Sequence, residues 1–111
     1  MSLTLLLRCK DLGETERFYR SVLDFHVSDG AATITAEHYG GKLVFTTQDL
    51  WRGELAFSGT IYFTVPDADR LFASLKDTVT VAWPIQDMPY GSREFGIRDC
   101  NGYCLAFQQR I

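Results

Sequence analysis

With 111 residues, a net charge of −3 and 46% hydrophobic residues, the chain has the size and composition of one globular domain, so one core and no second domain are expected. Its acids and bases are intermixed, so there is no basic stripe to neutralise phosphates and nucleic acid is not an expected partner; neutral or cationic small ligands stay open. The apolar runs are too short to cross a bilayer and nothing reads as an export signal, so a cytoplasmic location without a membrane partner is expected. Residues 3–9 are apolar and strand-like. They lead into Asp11-Leu12-Gly13-Glu14, an N-cap with an acid three residues later, which starts a helix. Phe18, Tyr19, Val22 and Leu23 form its apolar stripe at helical spacing, a stripe that must cover a sheet. Three short strands are predicted next, at about 26–28, 32–38 and 42–47, with Asp29-Gly30 and Gly40-Gly41 as hairpin turns.

Residues 48–58, which include Asp49, Trp51, Arg52 and Glu54, have no clear period and read as a linker. The pattern then begins again. A strand at 60–65 meets Pro66-Asp67, which caps a helix with Ala68, Leu71, Phe72 and Leu75 on one stripe. Strands at about 78–83, 93–98 and 103–108 follow, the last two joined by Asp99-Cys100-Asn101-Gly102, whose glycine suits a left-handed turn position. Thr4 to Asp11 (TLLLRCKD) and Thr60 to Asp67 (TIYFTVPD) match at both ends with one offset. The expected fold is therefore α+β: two tandem βαβββ modules forming a cupped mixed sheet with the helices on its convex side. One domain is expected over residues 1–111, with a first module at about 1–48, the linker at about 49–58 and a second module at about 59–111.

Strand alternation assigns the cup-facing side chains. Ile61, Phe63 and Val65 are apolar enough to face the helices, which turns Thr60, Tyr62 and Thr64 the other way. The same rule places Thr4, Leu6 and Arg8 on the cup side of the first strand, Glu94 and Arg98 on that of the seventh, and Ala106 and Gln108 on that of the eighth. Arg8, Glu94 and Arg98 either pair with one another across strands or contact a ligand; both readings stand at this point. His26 and His38 lie in no recognisable triad context, and neither stands at a finger-like spacing from Cys100 and Cys104, so the cysteines, with Cys9, read as free structural thiols. Glu94 with Arg98 is the one pair suited to acid–base chemistry, given burial.

Phe18-Tyr19, the helix ending Val22-Leu23-Asp24-Phe25 and the Arg98-Asp99-x-x-Gly102 hairpin, set in two βαβββ modules, resemble the vicinal oxygen chelate superfamily of glyoxalase I, extradiol dioxygenases, and fosfomycin and bleomycin resistance proteins. The run from Pro89-Tyr90-Gly91-Ser92-Arg93-Glu94-Phe95 to Asp99, then Gly102, Cys104 and Phe107, is similar to the second-module motif of the bleomycin resistance branch. In this superfamily catalytic members hold a divalent metal with His, Gln or Glu, and the resemblance maps those positions onto Thr4, Phe45, Thr60 and Ala106. None is a metal-ligand type for zinc or for harder cations. The resemblance thus implies a metal-free binding protein with no cofactor and no catalytic residues, a homodimer that sequesters a small aromatic or cationic molecule. It also implies stacking on Tyr90. The candidate ligand-binding residues are Tyr90, Tyr62, Arg8, Thr60, Glu94, Arg98, Gln108 and Trp51, with Trp83 as a weaker stacking surface. The longer acidic and aromatic loop of drug-binding members is missing near Asp29-Gly30. The alternative is an enzyme of the superfamily, either a metal-dependent lyase, isomerase or dioxygenase-like protein or a metal-free acid–base catalyst.

Overall fold

The computed structural model describes residues 3–110, so the outermost positions of the expected 1–111 span lie outside it. The chain divides into two compact units, Met1–Ser58 and Gly59–Ile111, which places the connecting residues 47–59, without helix or strand, almost wholly with the first.

In the first unit, β1 (Leu3–Arg8) leads to α1 (Leu12–Arg17). Asp11 is extended at φ −150° and its carboxylate accepts from the Gly13 amide at 2.8 Å and the Glu14 amide at 3.4 Å, which satisfies donors that a helix start leaves open. The apolar stripe does not continue as α-helix. Phe18–Val22 forms a π-helical turn, with the Leu23 amide donating to the Phe18 carbonyl at 3.1 Å. Tyr19, on this widened turn, is fully buried, with ring centroids 5.6, 5.4 and 5.1 Å from Phe18, Phe25 and Phe45. β2 (His26–Asp29), β3 (Thr33–His38) and β4 (Gly41–Thr46) complete a four-stranded sheet of order β1-β4-β3-β2, with β1 parallel to β4. The β3–β4 turn falls on Tyr39-Gly40, one residue earlier than the sequence suggests: both have positive φ (52° and 78°) and His38 pairs with Gly41. Two left-handed central residues match the twist of a tight hairpin.

The second unit repeats the order. β5 (Thr60–Thr64) precedes α2 (Ala68–Leu75), capped by Asp67, whose carboxylate accepts from the Arg70 amide at 3.1 Å. β6 (Thr80–Asp87), β7 (Ser92–Arg98) and β8 (Cys104–Arg110) give a sheet of order β5-β8-β7-β6, with β5 parallel to β8. β6 runs through Pro84, well past the expected end at Trp83. A proline has no amide to give a ladder, and it is accommodated because β6 is an edge strand whose register shifts between Val81 and Trp83 and again between Trp83 and Gln86.

The strands are therefore hydrogen-bonded into two four-stranded mixed sheets, one in each unit. In the first, Leu7, Phe45 and Ile34 form one buried row and Leu43, Ala36 and Val27 another. In the second, Ile61, Leu105 and Ile97 form one row and Phe63, Phe107 and Phe95 the next, with Phe72 of α2 5.1 Å from the Phe95 ring. Each such aromatic contributes about 1.5–3 kcal/mol through burial. Among the described residues no helix is long and apolar enough to cross a membrane.

Candidate functional site

Turning Ile61, Phe63, Phe95, Ile97, Leu105 and Phe107 toward α2 leaves the alternate residues of the second sheet on its open face. One row of that face reads, across the strands, Tyr62, Ala106, Gly96 and Trp83. The next reads Thr64, Gln108, Glu94 and Gln86, and the one on the other side Thr60, Cys104, Arg98 and Thr80. Gly96 is there for a steric reason: a Cβ at this position would lie 2.6 Å from three atoms of the Trp83 ring. Only a glycine lets the indole lie against the backbone of β7.

That placement aims the Trp83 indole N–H at Glu94, to which it donates at 3.2 Å on Oε2. The other carboxylate oxygen, Oε1, accepts from the Tyr90 hydroxyl at 2.6 Å and the Ser92 hydroxyl at 3.0 Å. Glu94 is 0% exposed. A carboxylate taken from water is costly unless its oxygens are hydrogen-bonded, and here three neutral donors do that. Among the described side chains none of the ion pairs reaches Glu94.

Tyr90 itself is 58% exposed and sits on the turn joining β6 to β7, which is closed by the Met88 amide on the Ser92 carbonyl at 2.8 Å and by Gly91 at φ 84°. Its hydroxyl is bonded both to Glu94 on β7 and to Tyr62 on β5. These strands are separated by β8, so the tyrosine reaches across the open face over Ala106. The bond to Glu94, then the contact with Tyr62 and partial desolvation, hold the Tyr90 phenol well above the usual tyrosine range.

The structure thus brings Tyr62, Tyr90 and Glu94 together. Thr60, Arg98 and Gln108 share their face but are engaged separately: Thr60 Oγ1 donates to Cys104 Sγ at 3.5 Å, Arg98 Nη1 to the Gly102 carbonyl at 3.2 Å and Gln108 Nε2 to Thr64 Oγ1 at 3.3 Å. Arg8 and Trp51 belong to the first unit. Arg8 Nη1 lies 2.9 Å from Asp49 and donates to the Gly53 carbonyl at 2.7 Å, and Trp51 is exposed on the connecting segment. Partial desolvation pushes the Asp49 carboxyl up, but hydrogen bonds from the Gly53 and Arg52 backbone and from Arg8 outweigh it and hold it low. Of the mutual pairing that the sequence allowed, the Glu94–Arg98 part is not among the described ion pairs. Nor do Glu94 and Arg98 form an acid–base pair, since each has its own partners.

Sequence reasoning gave Trp83 little weight and missed Ser92 and Gly96, although Ser92, Glu94 and Gly96 alternate on one strand. It also missed Arg93, which points to the helix side and holds α2 against the sheet: Nε and Nη2 grip Asp69 at 2.8 and 2.9 Å, and Nη1 reaches Asp87 at 2.9 Å. Cys9, Cys100 and Cys104 are free thiols.

Residues 3–107 match the family described as the Glyoxalase/Bleomycin resistance protein/Dioxygenase superfamily. The chain belongs to this superfamily. Solved structures agree on the fold. TioX from Micromonospora sp. ML1 is 19% identical, with 100% of this chain and 99% of that one aligned at a TM-score of 0.82. A glyoxalase/bleomycin resistance protein/dioxygenase from Alicyclobacillus acidocaldarius is 21% identical, with 100% and 92% covered and a TM-score of 0.80. A virulence protein from Salmonella typhimurium is 16% identical, with 100% and 96% covered and a TM-score of 0.76. No curated protein gives a match.

The positions that the superfamily resemblance marks for a metal need one correction. Phe45 is fully buried on the helix side, against Tyr19; its neighbour Val44, paired with Leu6, is the open-face residue of β4. The four side chains are then Thr4, Val44, Thr60 and Ala106, two hydroxyls and two hydrocarbons, which do not fit a divalent cation. Among the described residues no three His, Cys, Asp or Glu side chains converge on a point that would hold a metal ion.

Proposed function

We propose that this superfamily member binds and sequesters a small aromatic or cationic molecule without a metal, in the manner of bleomycin resistance proteins, and that the open face of the second sheet is where it does so. One observation carries this: Tyr62 and Tyr90 stay 46% and 58% exposed while meeting at their hydroxyls above a row whose central residues, Ala106 and Gly96, have almost no side chain. Exposed aromatics held at their polar tips offer flat contact area at little ordering cost. Thr60, Arg98 and Gln108 supply hydrogen-bonding groups at its margins. Arg8 and Trp51, in the first unit, are not needed for it. We assign the protein to the cytoplasm as a homodimer, which size-exclusion chromatography with light scattering tests.

Thermal shift with a panel of single- and double-ring compounds, neutral, cationic and anionic, tests the binding. Stabilisation by some aromatic members, lost in Tyr62→Ala, is the expected result, since a ligand that binds only the folded state raises its melting temperature. Silence across the panel would sink the proposal. The 2.6 Å contact of Tyr90 with Glu94 favours a second reading, an acid–base enzyme. Against it, the raised pKa keeps the phenol protonated at neutral pH, so that it has no basic form to accept a proton and gives up its own reluctantly. Metal analysis of the purified protein separates the remaining enzymatic alternative; a stoichiometric divalent ion would replace the binding proposal.

A further inference from the structure

We infer that Glu94 is the charge-recognising group of this face, that its occupant is a flat organic cation bearing N–H donors, and that Tyr90 is the latch this cation displaces. The inference rests on the binding function proposed above and names the chemistry that the face selects.

The three donors on Glu94 are not equivalent. Ser92 is buried two residues away on the same strand, and Trp83 is pinned flat over Gly96. Tyr90 stands on a turn, more than half exposed, with its hydroxyl as the point of attachment to Glu94 and Tyr62. It is the donor that can leave without disturbing the sheet. Its departure would strip Oε1 of one partner at the moment the carboxylate becomes reachable from solvent, and a buried acceptor left unsatisfied is expensive. Whatever enters must bring a donor.

A charged donor is preferred over a neutral one because, among the described residues, no ion pair reaches Glu94. Arg93, its sequence neighbour, points to the opposite face and is held by Asp69 and Asp87, while Arg98 is bonded to the Gly102 carbonyl. Exchanging a phenol O–H for a cationic N–H turns a neutral-to-charged bond into a charge-assisted pair, roughly twice as strong. The flat shape follows from the surroundings: Tyr62, the Trp83 indole lying over Gly96, and the displaced Tyr90 ring offer π-faces that attract a delocalised cation. A bare metal ion does not suit the same place, since one carboxylate with hydroxyl and indole neighbours is too few donors.

Isothermal titration of the wild-type protein with benzamidine, a flat aryl cation, and benzamide, its neutral counterpart, tests this. Benzamidine is expected to bind about tenfold tighter or more, Glu94→Gln to erase that margin by weakening benzamidine more than benzamide, and Tyr90→Phe to tighten benzamidine about threefold by removing the latch bond. A cation preference that survives Glu94→Gln overturns the inference and leaves the binding function standing, as does binding of neutral aromatics with none of benzamidine. Failure of every aromatic compound overturns both. Should Glu94→Gln not fold, Tyr90→Phe decides alone: weakening both ligands equally refutes the latch, whereas tightening only the cation upholds it.

Discussion

The two sheets share strand order, helix caps and the apolar chemistry of their helix-facing rows, yet their open faces have little in common. Where the first sheet has Leu6, Val44, Thr35 and Ser28 in a row, the second has Tyr62, Ala106, Gly96 and Trp83. The residue that corresponds to Glu94 by register is Thr33. Nothing in the strand ladder demands these differences, because an open face carries no packing constraint from a helix. The repeat therefore keeps what folding needs on one side of each sheet and leaves the other side to chemistry, which in this chain is concentrated in the second unit.

The largest effects should be those in which the units behave alike. Phe45→Ala and Phe107→Ala each remove a fully buried ring and are expected to cost about 3–5 kcal/mol in chemical denaturation. A gap of more than about 2 kcal/mol between them would mean that the two cores are not equivalent. Next comes the steric asymmetry of the open faces. Gly96→Ala drives a methyl into the Trp83 ring and should cost about 1–3 kcal/mol, whereas Thr35→Ala, at the matching place in the first sheet, should stay within about 0.5 kcal/mol.

A smaller effect distinguishes two tyrosines. Tyr39, in the first unit, is raised by burial and then by Asp24, and Tyr90 by its bond to Glu94. Both hold their protons in the folded state after the unfolded chain has released them, so this stabilisation is complete below the unfolded value of about 10 and is lost as pH rises through the folded value. Spectrophotometric titration should show Glu94→Gln returning one late phenol toward the usual range while the other stays late, and Tyr90→Phe should flatten the alkaline fall in stability. If both phenols moved together, the assignment of separate causes would fail. Least of all should come from Asp49→Asn, which breaks an exposed pair with Arg8. A slight, salt-sensitive drop in melting temperature with unchanged ligand binding is expected; a large drop would show that the connecting segment organises the first unit.

Much of the fold was legible because its determinants are local. Asp11 and Asp67 announce helix starts through side chains that reach amides two or three residues on, and the alternation of Ile61, Phe63 and Val65 fixes which face of β5 is inward. What escaped was set by partners distant in sequence. Pro84 argues locally for a strand end, but a bulged edge tolerates it, and the register that carries Trp83 onto Gly96 exists only once β6 and β7 have paired. Phe45 was placed one residue off the open face, and in a strand one residue is a change of face. Tyr62, Tyr90 and Glu94 were picked out from alternation and from the superfamily motif, but the burial of Glu94 and the bonds that join the three needed the folded sheet.

Pro84 has a consequence beyond the shape of β6. A strand arriving from another molecule to extend the second sheet at that edge would find no amide at residue 84 and a ladder whose spacing changes twice between Val81 and Gln86. Templated growth toward a fibril stalls on such an edge, as it does on β2, which is only 4 residues long. The irregularity that seats the indole over Gly96 also keeps the sheet from recruiting copies of itself along that side.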